Sequence, residues 1–128
     1  MKKFFRKLAA AVVTYYCNRV YQKAVKAADE RHAQEHEMFY VVDHLIKGQT
    51  LTVINRKMFR KMKMDAQRWT NPMYEVYFDK EYNVQMLKDT GWYHTPDRSE
   101  QNALSEKDRE VRRLAFIRMG LQRAKLLD

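Results

Sequence analysis

The sequence predicts a mainly α fold with a small β-hairpin, an α+β chain in which a long N-terminal helix, a hairpin, a basic helix, an irregular middle segment and a C-terminal helix follow one another. Three observations carry that expectation. Only 3 Gly and 2 Pro occur among 128 residues, well below ordinary usage, so tight turns are few and helices run long. Apolar residues recur at three- and four-residue spacing near both ends of the chain, the period of a helix face. Between them, residues 39–54 are rich in β-branched and aromatic side chains around Gly48, the composition of paired strands.

Residues 1–36 are expected to form a long basic helix. No Gly or Pro precedes Gly48, and Phe5, Ala9, Val13, Tyr16, Val20, Ala24 and Ala27 repeat at helical spacing. Leu8, Val12 and Tyr15 lie beside that stripe, so the first half is apolar nearly all round and needs cover on more than one side. Lys2-Lys3 followed by Leu8 to Val13 imitates the start of a signal peptide. Tyr15-Tyr16-Cys17-Asn18-Arg19 breaks the apolar run and no small-residue cleavage site follows, so secretion is not expected. The run also falls short of the roughly 18 apolar residues of a membrane span. A helix lying in a membrane interface is the one form of lipid contact it leaves open.

Residues 39–69 are expected to hold the hairpin and a basic helix. Phe39 to Ile46 and Thr50 to Ile54 supply the two arms, with Gly48 between them. Asn55 is placed to cap a helix whose inner stripe is Phe59, Met62, Ala66 and Trp69, with Arg56, Lys57, Arg60, Lys61 and Lys63 outward. That helix should end near Pro72. Residues 73–102 form an acidic, irregular segment: a short strand over 73–78, a short helix from Asp79 or Asn83 to Gly91, and a loop from Trp92 to Ser99 in which Pro96 fixes the backbone and Asp97 bonds forward to a main-chain amide. Over 105–127, Ser105 and Asp108 fit a capping box. Val111, Leu114, Ile117, Leu121 and Ala124 then form an inner stripe, with Arg112, Arg113, Arg118 and Arg123 facing elsewhere. Residues 1–128 are read as a single domain.

Apolar residues make up 45% of the chain, enough for a core without metal or disulfide staples at this length. With one Cys, no intramolecular disulfide forms. The net charge of +9 is unevenly distributed: residues 1–28 carry seven bases and no acid, whereas six acids outnumber three bases over 73–100. Such polarity suits an anionic partner or a like molecule stacked head to tail.

Catalytic signals are poor. His32-Ala33-Gln34-Glu35-His36 has the lettering of a zinc-peptidase helix, but the third ligand would have to come from an unmarked acid such as Glu75 or Glu110, and His, Gln and Glu are ordinary at a charged helix end. His94, Asp97, Cys17 and Ser99 form no recognisable nucleophile elbow, and the three isolated glycines cradle no phosphate. We therefore expect no enzyme, no cofactor and no resident metal, with a metal hydrolase on His32 and His36 as the remote alternative. The excess lies in greasy surface: 8 Met, 8 Tyr, 6 Phe and 2 Trp exceed what so small a monomer readily covers. Phe5, Leu8, Val12, Tyr16, Trp69, Trp92, Ile117 and Leu121 are the expected interface anchors. Lys57, Arg60, Lys61 and Lys63 are candidate phosphate contacts should the partner be nucleic acid.

Tyr93-His94-Thr95-Pro96-Asp97, Asn102-Ala103-Leu104-Ser105-Glu106-Lys107 and Arg112-Arg113-Leu114-Ala115-Phe116 resemble small basic proteins of crAss-like tailed phages that infect Bacteroides. The resemblance covers mainly residues 92–125, and the basic first helix and Ile54-Asn55-Arg56-Lys57 fit it more loosely. It carries no catalytic or ligand-binding residue. It implies a setting: a minor virion component near the capsid, portal or tail, in the particle or the host cytoplasm. The expected function is that of a non-enzymatic structural or interaction protein, oligomeric or bound to other protein subunits, with nucleic-acid binding as the alternative.

Overall fold

The computed structural model describes residues 2–43, 51–61 and 91–126. Its elements are helix α1 (Lys2–Glu35), strands β1 (Phe39–Asp43), β2 (Leu51–Asn55) and β3 (Tyr93–His94), and helix α2 (Glu106–Arg123). The chain is mainly helical with a small antiparallel sheet, the α+β arrangement its sequence predicts. The hinge of the hairpin, Met62, Lys63, Trp69, and the strand and helix expected over 73–90 lie outside the described residues.

α1 runs 34 residues because nothing in it interrupts the helical hydrogen-bond ladder. It ends at His36, whose φ of 54° is left-handed and whose amide donates to the His32 carbonyl at 2.8 Å. That bond closes the helix as a terminal glycine usually does. α2 begins where Ser105 Oγ accepts the Asp108 amide at 3.1 Å, the expected cap. At its far end Lys125 (φ 57°) takes the left-handed position, and the amides of Lys125 and Leu126 reach back to the carbonyls of Gln122 and Leu121.

The sheet order is β2-β1-β3. β1 pairs antiparallel with β2 from Phe39 opposite Asn55 to Asp43 opposite Leu51, and with β3 through Tyr40 opposite His94 and Val41 opposite Tyr93. β1 is therefore central, and both of its faces are covered. Phe39 and Val41 join Tyr21, Ala24, Ala28, Trp92, Tyr93, Ala115, Phe116 and Met119 in the main core. Tyr40 and Val42 turn the other way, onto Ile54 and Phe59, with the Tyr40 and Phe59 rings stacked 4.0 Å apart. A strand buried on both sides has no polar face to alternate with, which explains the unbroken Phe-Tyr-Val-Val run.

Two expectations are corrected here. The Trp92 to Ser99 stretch is not all loop: Tyr93 and His94 form the third strand, and Thr95 prolongs the contact by donating its amide to the Phe39 carbonyl at 3.0 Å and accepting the Phe39 amide on Oγ1 at 2.9 Å. Gly91 makes this possible, since its φ is +71° and an added Cβ would lie 2.8 Å from the Val41 carbonyl oxygen. The helix phases also differ from the expected stripes. α1 buries Cys17, Tyr21, Ala24, Ala28 and His32, because small side chains at 24 and 28 let it settle on the sheet. α2 buries Arg112, Ala115, Phe116, Ile117 and Met119, leaving Leu114 45% exposed. Arg112, expected outside, is only 2% exposed.

Candidate interaction surface

α1 has two halves with different surroundings. From Cys17 onward it packs against the sheet and α2. Tyr21 donates its hydroxyl to the Trp92 carbonyl at 2.7 Å, its ring lies 5.9 Å from Phe116, and Tyr93 donates to the Asp29 carboxylate. Gly120 of α2 lies so close that a Cβ there would sit 2.4 Å from Cys17 Sγ. Burial pushes the Cys17 thiol pKa up, with Arg123 opposing, which marks a packed thiol rather than a nucleophile.

Before Cys17 one side of the helix is bare, while Ala9, Ala10, Val13 and Thr14 on the other are half-buried. Phe4, Phe5, Leu8, Val12, Tyr15 and Tyr16 are each between 53% and 66% exposed, although residues of this kind normally sit inside. At about 100° per residue these six fall within an arc of roughly 120°. Lys2, Lys3, Arg6 and Lys7 occupy an arc of about 140° on the other side, and no acid precedes Asp29. The azimuth of Cys17, Tyr21, Ala24, Ala28 and His32 falls inside the basic arc, roughly opposite the apolar one. The greasy stripe of the first half is thus turned away from the body that the second half packs against. Averaged along the whole helix the two stripes cancel, which is why the residue spacing alone misplaced the buried face. Arg19 closes the apolar arc, donating to the Tyr15 hydroxyl at 3.2 Å.

Of the expected anchors, Phe5, Leu8, Val12 and Tyr16 lie on this arm. Trp92 and Ile117 do not serve as anchors: they are 3% and 6% exposed and belong to the chain's own interior, where Trp92 meets Phe116 edge-on at 5.4 Å. Leu121 is half-buried and Trp69 lies outside the described residues. Phe4 and Tyr15 were missed as anchors, although a helical wheel of the first four turns puts both on the arc of Leu8. Lys57, Arg60 and Lys61 are exposed beside Arg56 on a helical stretch, 56–61, which Asn55 caps by accepting the Met58 amide at 2.8 Å.

The structure takes the proposed zinc pair apart. His36 lies past the end of α1, so the two imidazoles do not share a helix face. Both His32 nitrogens face acceptors: Nδ1 meets the Glu37 carbonyl at 2.6 Å and Nε2 meets Glu100 Oε1 at 2.7 Å. A ring between two acceptors is best satisfied when both nitrogens carry protons. The Glu37 contact holds the His32 pKa above its ordinary value, burial opposes, and Glu100 adds to the rise. Among the described residues no three His, Cys, Asp or Glu side chains gather in a way that could hold a metal ion. The Asp97 turn is as expected, with its carboxylate accepting the amides of Ser99 at 2.8 Å and Gln101 at 2.9 Å and the Asn102 side chain at 2.8 Å. Bonding to the Gln101 amide leads the causes that hold its pKa below the usual carboxylate value.

Comparison with protein-family models, with curated proteins and with solved structures gives no match to this chain. No described helix is long and apolar enough to cross a membrane.

Proposed function

We propose that this chain is a non-enzymatic interaction protein, a packed body that presents the first four turns of α1 as a docking arm. One observation carries the proposal: six large apolar side chains, each more than half exposed, line the side of the arm that faces away from the body. Leaving them in water forgoes roughly 25 cal/mol for every Å² of apolar surface, and a continuous stripe rimmed by bases is the pattern of a surface kept for a partner. Apolar burial supplies affinity there, and the bases select an anionic partner and set its orientation. The resemblance of residues 92–125 to crAss-like phage proteins supports a phage particle as the assembly.

Sedimentation of the purified protein tests this. Raised salt screens the basic arc, so wild type is expected to self-associate through its stripes and to bind a hydrophobic dye, while Leu8→Glu with Val12→Glu stays monomeric and dark. A wild type that remains monomeric at every ionic strength and binds no dye overturns the proposal.

The exposed cluster of Arg56, Lys57, Arg60 and Lys61 favours nucleic-acid binding as a second reading. Affinity for DNA or RNA that falls steeply with salt, in proportion to the phosphates neutralised, is its signature. Absence of binding at low ionic strength removes it.

A further inference from the structure

We propose that the partner of the docking arm is an anionic membrane surface, on which residues 2–16 lie flat with the apolar arc in the acyl boundary and the body held above in water. The inference rests on the docking-arm reading and names its partner.

Four features of the arm point to lipid. The apolar arc is backed by a basic arc in which Lys2 and Lys7 flank the stripe on either side, with Lys3 and Arg6 between them. This is the layout of a helix that lies in the headgroup plane with its lysines reaching phosphates. Aromatic rings stand at both ends of the stripe, Phe4 and Phe5 at one and Tyr15 and Tyr16 at the other, suited to the boundary between chains and headgroups. The stripe stops where Arg19 enters its arc, in the turn where Cys17 becomes buried and the helix joins the body. The body packs on the opposite azimuth, so the arm meets a flat surface without collision.

Charge decides between occupants. A second copy would bring an identical arm with four bases and no acid over residues 2–16, and like charges at such close range repel. Nucleic acid would engage the basic arc and leave the Phe, Leu and Val stripe in water. An anionic leaflet takes both arcs at once, gaining from each base near its surface and from each apolar group it buries.

Flotation of the full chain with vesicles of equal parts phosphatidylglycerol and phosphatidylcholine, beside phosphatidylcholine alone, is the test. Wild type is expected to float with the anionic vesicles and not with the neutral ones. Lys3→Gln with Lys7→Gln should bind about fivefold more weakly for each charge removed. Leu8→Glu with Val12→Glu, both at exposed positions, should keep the wild-type near-ultraviolet spectrum and lose flotation. The inference is overturned if wild type stays unbound at low ionic strength, or if the Leu8→Glu with Val12→Glu variant floats as well as wild type. A wild type that ignores vesicles but self-associates through the stripe in sedimentation defeats the lipid partner alone; one that does neither defeats the docking arm as well.

Discussion

His32 and Glu100, far apart in sequence, meet at 2.7 Å and tie the end of α1 to the turn that follows β3. Because Nδ1 of the same ring faces the Glu37 carbonyl, the junction favours the imidazolium, and its folded-state pKa lies above the unfolded value. The stability it contributes is fully present below about pH 6.5 and is lost as pH rises through the folded-state pKa. His94 runs the other way: burial leads the causes that lower its pKa, against the Thr95 carbonyl. Its contribution is present above the unfolded pKa and is lost as pH falls through the folded one. Subtracting the thermal-denaturation pH profile of His32→Phe from that of wild type isolates the first effect. The difference should be about 1.5 kcal/mol in favour of wild type at acid pH and shrink on raising the pH. A difference independent of pH would contradict the charged junction.

Gly120 and Cys17 mark the closest approach of the two helices. Gly120→Ala should destabilise by about 1–3 kcal/mol through overpacking against Sγ. In a Cys17→Ala background the same change should be neutral or stabilising, since the sulfur is gone and Ala is the better helix former by about 1 kcal/mol. Denaturant unfolding of the four proteins in this cycle measures the coupling.

Gly91→Ala should cost at least about 2 kcal/mol, because the left-handed backbone is strained for any other residue and the new Cβ meets the Val41 carbonyl. The loss should appear as faster amide exchange at Trp92 and Thr95, whose N–H groups donate to β1.

Tyr21→Phe keeps the ring contact with Phe116 but strips the hydroxyl from the buried Trp92 carbonyl. We expect a loss of about 1–3 kcal/mol in chemical denaturation, without change in the exposure of the arm.

The long helices, the capping Ser105 and Asn55, the hairpin and the Asp97 turn were all legible, because each is set by neighbours within a few residues. Burial faces were less so. Spacing along α1 marks the first half as needing cover on more than one side, but it does not place the buried face at Cys17, Tyr21, Ala24, Ala28 and His32, because the large apolar side chains of the first half lie at a different azimuth. Arg112 looked like surface because its charge outweighs its aliphatic stem in any local count. β3 was invisible because two residues carry no period, and Tyr93 and His94 become a strand only when β1 lies beside them. On the arm, Phe5, Leu8, Val12 and Tyr16 could be named from sequence, whereas the exclusion of Trp92 and Ile117 required the fold.

The central place of β1 also sets an order of assembly. One of its edges is met by β2 after a short connection, the other by β3 only after more than fifty further residues have been made. Closing the larger loop is the entropically slower step. A nascent chain in which α1, β1 and β2 have emerged has Phe39 and Val41 without the Trp92 and Phe116 that cover them in the folded protein, the kind of apolar surface that holdase chaperones bind.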